Sequence, residues 1–148
     1  MTNSPIPDSA ELFLHKTAIQ LRFKDTDLMG HVNNANHLTY MELARFHYFN
    51  DVVSKNNNWL RTGFILAKII IEYIKPVVLT DTIIAFTKCS RIGTKSFDLD
   101  YELRSFSEGN YKLMAKGIST VVCYNYEQKE TIEIPDEWRK KIMAFEGM

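Results

Sequence analysis

The most informative segment of the chain is residues 25–34, which read Asp-Thr-Asp-Leu-Met-Gly-His-Val-Asn-Asn and lead into residues 35–53, a run without Gly or Pro. Two carboxylates, a glycine and two asparagines before such a run are typical of a turn that enters a helix. The first N–H groups of a helix lack internal partners and carry the positive end of its dipole. A carboxylate beside them can deprotonate water or attack a polarised carbonyl, so the segment predicts a catalytic site.

The two acids of this segment are expected to differ in role. If the preceding strand continues, Asp25 and Asp27 point to opposite faces, so only one can face a given pocket. Alone, the pair is more typical of an Asp-rich turn with a helix cap, but the residues that follow it favour a functional carboxylate. Either Asn33 or Asn34 could cap the helix. Capping and carbonyl binding can use different N–H groups, so both roles remain open.

Hydrophobic patterns around this segment predict one long helix and an antiparallel sheet. The helix is apolar on several sides and is expected to be largely enclosed. Four strands joined in hairpins should follow it, and residues 97–104 alternate apolar and charged side chains, which predicts one buried and one wet face. A short helix should begin at Pro135. The order indicates an α+β fold, with strands predicted at 12–23, 62–73, 77–89, 97–104 and 111–124.

Composition narrows the possible functions. The 148 residues predict a single domain over 11–148 after a loose tail over 1–10. Acidic and basic residues balance at 18 each, which gives no reason to expect nucleic acid or an anionic membrane as partner. No apolar run approaches the roughly 20 residues of a membrane span, and the first ten residues do not read as a signal peptide. Cys89 and Cys123 are expected to be buried free thiols, which favours the cytoplasm.

Other catalytic patterns are absent from the sequence. His31, His37 and His47 lack close ligand spacing such as His-Glu-x-x-His, so no metal site is predicted. No Gly-x-Ser-x-Gly occurs, so a serine-hydrolase elbow is unsupported. His31 is interpreted as a structural or orienting residue. Glu42 and Arg45 are three residues apart on the helix, which favours an ion pair over catalysis.

The chain resembles hotdog-fold acyl-CoA thioesterases of the 4-hydroxybenzoyl-CoA thioesterase type. The resemblance rests on Asp-x-Asp-x-x-Gly-His-Val-Asn-Asn over 25–34 and Tyr-x-Glu-x-Ala-Arg over 40–45. Weaker similarities follow at 72–76 with Asp81, at 91–97 and at 113–124, so most of residues 13–138 are covered. His37 stands where the family more often has Tyr, which leaves the lining of the pocket open.

The resemblance implies a fold, an activity and a site. The fold is a hotdog, in which a five-stranded antiparallel sheet wraps a long central helix. The activity is hydrolysis of an acyl-CoA to a carboxylic acid and coenzyme A, with no metal or tightly bound cofactor. Asp27 is the implied catalytic carboxylate, as general base or as nucleophile through an anhydride, and the backbone N–H of Asn34 is the implied donor to the thioester oxygen. The substrate is also expected to contact the rest of the loop: Gly30, His31, Val32 and Asn33.

A basic turn gives a second candidate contact with the substrate. Lys88, Arg91 and Lys95 cluster around Gly93, either as a solvated hairpin or as a site for the phosphates of coenzyme A, to which Ser96 could add a hydrogen bond. The family usually pairs two sheets edge to edge with sites at the subunit boundary. A homodimer is therefore implied, and a homotetramer is possible.

Two alternatives to a thioesterase remain at this stage. In a hotdog enoyl-CoA hydratase, Asp27 and His31 would act as an acid–base pair, although their spacing is one residue short of the usual pattern. In a non-catalytic acyl-CoA or acyl-carrier binding module, no acid would be needed at position 27. The sequence says little about the acyl chain.

Overall fold

The computed structural model describes residues 13–148, so the tail predicted over 1–10 lies outside the described residues. Nine elements follow one another: β1 (His15–Ile19), a 3₁₀ turn (Phe23–Asp25), α1 (Asn34–Val52), β2 (Gly63–Tyr73), β3 (Ile83–Ile92), β4 (Ser96–Ser107), β5 (Asn110–Asn125), β6 (Glu130–Thr131) and α2 (Asp136–Glu146). The long helix, the antiparallel sheet and the short final helix confirm the predicted α+β class. The predicted first strand is too long, because the chain turns into the 3₁₀ segment after residue 22.

All strand pairs are antiparallel, and the main sheet has the order β1-β3-β4-β5-β2, with β6 added to β5. The predicted hairpin between the second and third strands is therefore wrong, and the short sixth strand was not predicted. Pro76 cannot donate to a ladder, and the segment after it binds elsewhere: the Val32 N–H donates to the Val77 carbonyl at 2.7 Å. This connection holds the loop before α1, and β3 begins only at residue 83.

Helix α1 packs on one face of the sheet, but its predicted enclosure is incomplete. Met41, Ala44 and Tyr48 are buried in the main core. Leu38 remains 42% exposed and Phe46 47% exposed. One apolar side of the helix, facing away from β1 and β3, is therefore left open.

The prediction that one face of β4 is exposed to solvent is wrong. Asp100, Glu102 and Arg104 are buried, like the apolar residues that alternate with them. β4 is a central strand, so outward side chains of β3 and β5 flank it on both sides. The Arg104 guanidinium donates to Glu102 Oε1 at 2.9 Å and lies 3.9 Å from the centre of the Phe86 ring. The outer face of β4 is thus a paired polar layer rather than a solvated one.

Two further predictions are confirmed, one about the cysteines and one about the last helix. Cys89 and Cys123 are buried free thiols, and burial raises the pKa of each to about 12. Helix α2 starts after Pro135 with two acids in its first turn, and Lys141 Nζ donates to the Val53 carbonyl at 2.8 Å, which ties α2 to the end of α1. In the described part of the chain, no helix is long and apolar enough to cross a membrane.

Candidate active site

Asp25 anchors the loop that precedes α1. Its side chain is 1% exposed and accepts hydrogen bonds from the Arg22 backbone at 3.1 Å, the Arg22 guanidinium at 3.0 Å and the Tyr40 hydroxyl at 2.8 Å. Burial alone would raise the pKa of Asp25, but the bonds from Tyr40 and Arg22 lower it below its ordinary value. Asp25 therefore supports the turn through Arg22 and is held to α1 through Tyr40.

The backbone of the loop is fixed from several sides. The Asp25 carbonyl accepts the Asn33 N–H at 2.8 Å and the Asn36 side-chain amide at 2.9 Å. On the other side, the loop is bonded to residues 77 and 78 of the connection after β2. The segments before and after the turn of this loop are both hydrogen-bonded to neighbouring parts of the chain. The fold therefore sets the position of residue 27.

Asp27 lies exposed at the turn of this loop. The Gly30 N–H donates to the Asp27 carbonyl at 3.0 Å, and Gly30 takes φ +78°, which favours glycine at this position. One carboxylate oxygen, Oδ1, accepts the N–H groups of Met29 at 2.9 Å and His31 at 3.2 Å. Among residues 13–148, Oδ2 has no hydrogen-bond partner. The carboxylate is thus oriented through one oxygen and available through the other.

At the start of α1, the residue that caps the helix and the residue whose N–H is available to a ligand are different. Asn33 is the N-cap, and its side-chain oxygen accepts the Ala35 N–H at 2.9 Å. Asn34 is the first helical residue, so its N–H has no acceptor within the helix, and no acceptor occupies it among the described residues. The Asn34 carbonyl accepts the Tyr73 hydroxyl at 3.0 Å. An oriented donor is therefore left at the positive end of the helix dipole.

A cavity of about 370 Å³ lies in front of this donor. Four residues of the predicted site line it, whereas Gly30 and Asn33 shape the adjoining loop without lining it. No site role was predicted for residues 73–76, although their Tyr-Ile-Lys-Pro run was an available signal. His37 was expected only as a departure from the family in the pocket lining. The lining residues are Asp27, His31, Val32, Asn34, His37, Tyr73, Ile74, Lys75 and Pro76.

Two histidines border the cavity in different ways. His37 is buried, and its ring meets that of Tyr73 edge-on at 4.9 Å between centroids. Burial lowers the pKa of His37, an effect that the Asn33 backbone opposes only in part, so the imidazole is neutral at pH 7. His31 is half-buried and holds Asp27 through its backbone, since its carbonyl accepts the Asp27 N–H at 2.7 Å. The predicted orienting role of His31 is consistent with this backbone contact.

The basic turn lies away from this cavity. Arg91 binds Asp98 through two N–H groups at 2.8 and 3.1 Å and Ser96 Oγ at 3.0 Å, and the hydrogen bond to Asp98 raises the pKa of Arg91. Lys95 Nζ donates to Thr131 at 3.3 Å. Along β2 the turn lies level with residue 66 and the cavity level with residue 73, a separation of about 23 Å. One copy of the chain does not bring Arg91, Lys95 or Ser96 to Asp27.

The predicted Glu42–Arg45 ion pair does not form. Glu42 is on the exposed side of α1, whereas Arg45 turns inward and donates to the Tyr101 hydroxyl at 3.0 Å, which in turn bonds Ser119 at 2.7 Å. Both residues border a second cavity, of about 440 Å³, between α1 and the first half of β2. Its lining residues are Glu42, Arg45, Phe46, Trp59, Phe64, Ile65, Leu66 and Tyr126. Residues 13–148 hold no cluster of side chains that could bind a metal ion.

Comparisons with known proteins agree with this geometry. A model of the thioesterase-like superfamily matches residues 21–142. The long-chain acyl-CoA thioesterase FadM of Escherichia coli K12 is 27% identical over 130 residues, covering 86% of this chain and 96% of that protein. A thioesterase from Thermus thermophilus, solved with coenzyme A and Zn, is 31% identical with a TM-score of 0.78, covering 93% of this chain and 98% of that one.

The fold also extends to more distant sequences. A mutant of 4-hydroxybenzoyl-CoA thioesterase, solved with 4-hydroxybenzoyl-CoA, is only 15% identical, yet its TM-score is 0.78. The match covers 86% of this chain and 97% of that one. These similarities confirm the predicted hotdog architecture.

Proposed function

This chain belongs to the thioesterase-like superfamily and hydrolyses acyl-CoA thioesters, and from that premise we propose that Asp27 and the backbone N–H of Asn34 carry the reaction. The family matches the one predicted from the motif over 25–34. The observation that carries the proposal is that Asp27 and Asn34 line the same cavity, while Asp27 Oδ2 and the Asn34 N–H both lack partners among residues 13–148.

The Asn34 N–H binds the carbonyl oxygen of the thioester. As water adds to the carbonyl carbon, negative charge develops on that oxygen at the positive end of α1. Donors fixed in advance stabilise this charge without reorganising, and the loss of one such donor costs on the order of 100- to 1000-fold in rate. Tyr73 supports the donor by holding the Asn34 carbonyl at 3.0 Å.

Asp27 acts as general base. Its Oδ2 takes a proton from water, the hydroxide equivalent forms a bond to the carbonyl carbon, and collapse of the tetrahedral intermediate breaks the C–S bond and releases the thiolate of coenzyme A. The exposure of Asp27 supports this role over direct attack, because water reaches Oδ2 freely. A single turnover in water labelled with heavy oxygen tests this role, because label found in Asp27 would indicate an anhydride and contradict the general base.

The substrate is a long-chain acyl-CoA. The E. coli relative is a long-chain acyl-CoA thioesterase, and the second cavity offers apolar walls beyond the catalytic one. Thiol release should be measured over a series of acyl-CoAs from short to long, with Asp27→Asn as the matched inactive variant. Hydration of an enoyl-CoA without thiol release, or binding without turnover, would contradict the proposal.

A second copy of the chain completes the site. β2 lies at the edge of the sheet, so one side of its backbone is free to pair. Antiparallel pairing of two β2 strands about their midpoints would place the turn of one copy, with Arg91, Lys95 and Ser96, near the Asp27 cavity of the other. These side chains would then bind the phosphates of coenzyme A. Light scattering at micromolar concentration should report a homodimer or homotetramer, and a fully active monomer would contradict the arrangement.

The reaction requires no cofactor in this proposal. The Asn34 N–H and the helix dipole polarise the carbonyl, which is the task that a Lewis acid would otherwise perform. Turnover should therefore persist after dialysis against a chelator. The free thiols of Cys89 and Cys123 support a cytoplasmic location.

A further inference from the structure

The second cavity, which we call the distal cavity, has a lining of mixed character. Its lining residues are Glu42, Arg45, Phe46, Trp59, Phe64, Ile65, Leu66 and Tyr126. Four of its lining residues are aromatic, as expected of a pocket for an apolar chain. A charged guanidinium and a carboxylate stand among them. A pocket that binds only hydrocarbon has no use for either group.

The apolar middle of β2 lies between the distal cavity and the catalytic one, which β2 lines at residues 64–66 and at residue 73. Tyr73, Ile71 and Ile69 occupy alternate positions on β2, so their side chains share one face of the sheet, and Ile69 and Ile71 pack against the core beside α1. On α1, Leu38 is 42% exposed and stands between His37 of the catalytic cavity and Glu42 of the distal one. The helix packs more closely on β1 and β3 than on β2.

The separation of the two cavities along α1 fits a long acyl chain. Asn34 and Arg45 are eleven residues apart on α1, which at 1.5 Å per residue is roughly 16 Å. A fully extended chain of covalent bonds advances about 3.5 Å for every three bonds, so roughly 14 bonds span that distance. A chain held by its carbonyl at Asn34 therefore reaches Arg45 near its far end.

Arg45 is poised to bind an acceptor. Its side chain is 7% exposed, and among the described residues its guanidinium donates only to the neutral Tyr101 hydroxyl, at 3.0 Å. A guanidinium stays charged and has five N–H donors, so Arg45 keeps donors for an acceptor in the cavity. Glu42 borders the same cavity and, within residues 13–148, makes no ion pair with Arg45, so its carboxylate can accept a hydrogen bond there.

Resting on the proposed hydrolysis at Asp27, we propose that the distal cavity binds the far end of an acyl chain that carries a hydroxyl group. The hydroxyl oxygen accepts a hydrogen bond from Arg45, and the hydroxyl donates its own hydrogen bond to Glu42. An unsubstituted alkyl end would cover the guanidinium without pairing it. A terminal carboxylate would be repelled by Glu42. A hydroxyl alone uses both groups.

The test compares pairs of acyl-CoAs of equal length, with and without a hydroxyl, and moves the hydroxyl along the chain. In the wild-type protein, kcat/KM should favour the hydroxylated chain about tenfold or more, as expected for a hydrogen bond to a charged group. The preference should be greatest with the hydroxyl roughly 14 bonds from the carbonyl. In Arg45→Met the ratio should fall to about one. An equal rate on both chains, or a preference that survives Arg45→Met, would overturn the proposal.

Surface variants keep the test valid if Arg45→Met fails to fold. Glu42→Gln, on the exposed side of α1, should lower the hydroxyl preference. Leu66→Trp should fill the cavity and lower the ratio of long-chain to short-chain turnover, whereas Leu14→Trp, beside the opposite edge strand, should leave that ratio unchanged. An unchanged preference in Glu42→Gln together with an unchanged ratio in Leu66→Trp would also overturn the proposal.

A binding measurement separates this inference from the proposed function. In the Asp27→Asn variant, calorimetry with the free hydroxy fatty acid and its unsubstituted counterpart should give tighter binding of the former. If that difference is present but no acyl-CoA releases thiol in the wild-type protein, the proposed function fails while the cavity assignment stands. If thiol is released without any such difference, the cavity assignment fails alone.

Discussion

In the loop before α1, the Asp27 carboxylate is exposed and keeps one oxygen free of partners among residues 13–148, whereas the carboxylates on the outer face of β4 are covered and bound. Arg91 donates two hydrogen bonds to Asp98, and Ser90 donates one to Asp100 at 2.7 Å. Burial alone would raise the pKa of Asp98, but Arg91 and Thr120 lower it. Burial raises the pKa of Asp100.

The difference between the two regions lies in what each carboxylate is bonded to. On β4 neighbouring side chains donate hydrogen bonds to the acids, and both oxygens of Asp98 are occupied by Arg91 and Thr120. In the loop, backbone N–H groups orient Asp27 and occupy only one oxygen. Asp25 shows the same contrast two residues away, since three donors and full burial make it an anchor. A carboxylate that hydrogen bonds orient through one oxygen, while the other oxygen stays available, is the better candidate for catalysis.

The sharpest way to break this contrast is Asp27→Asn. The amide keeps the size of the side chain and can still accept the Met29 and His31 N–H groups, but it is not a base. We expect kcat to fall at least about 100-fold, with the melting temperature close to that of the wild-type protein. Steady-state thiol release and thermal unfolding measure both quantities. Near-normal turnover would show that another group supplies the base.

Asp25→Asn should have the opposite signature. Loss of charge at a buried acceptor with three bonds should lower the free energy of unfolding by about 1–3 kcal/mol, with a smaller loss of kcat than in Asp27→Asn. Because the folded pKa of Asp25 is lowered, its stabilisation is present above the unfolded value of 3.8 and is lost as the pH falls through the folded pKa. Denaturant titrations at neutral and acidic pH should show the gap between variant and wild type closing in acid.

His37 extends the contrast to a buried base beside the cavity. Because its folded pKa is lowered, the unfolded chain takes up a proton first as the pH falls below 6.5, and the folded state loses stability by at most about 1.4 kcal/mol per pH unit. His37→Gln should flatten this dependence as the pH falls below 6.5. Denaturant midpoints across that range measure it, and an unchanged slope would assign the dependence to other groups.

The smallest effect tests whether a paired residue can also have a function. If Arg91 and Lys95 bind coenzyme A phosphates across a subunit boundary, Arg91→Ala/Lys95→Ala should raise KM for acyl-CoA about fivefold per residue, since exposed charge pairs contribute up to about 1 kcal/mol each. Little change in kcat is expected. An acyl-pantetheine without the nucleotide should be unaffected. Equal KM values at low salt would make the turn purely structural.

The loop was predictable from the sequence because its contacts are local. Asp27 is bonded to residues 29 and 31, and Asn33 caps residue 35. Such contacts are fixed by residue type and spacing within a few positions. The sequence therefore indicated both the candidate carboxylate and the helix N-terminus, although it did not decide which asparagine is the cap.

The errors concern contacts between distant parts of the chain. The burial of Glu102 depends on its neighbours across the sheet, Phe86 on β3 and Lys116 on β5, which lie 16 and 14 residues away in the sequence. Arg45 is bonded to Tyr101 rather than Glu42, because the sheet offers a partner that helix spacing cannot reveal. Alternation along a strand reports that its two faces differ, and only the strand order tells which face is wet.

The free edge of β2 also bears on how the newly made chain survives. Eleven residues, Gly63–Tyr73, present unpaired backbone along one side, and three consecutive isoleucines, 69–71, stand within them. Segments of high β-propensity and low charge at an open edge are templates for aggregation. Lys68 and Glu72 flank the isoleucines as gatekeepers. The strand that we propose assembles the enzyme is thus also the one through which unassembled chains are expected to aggregate.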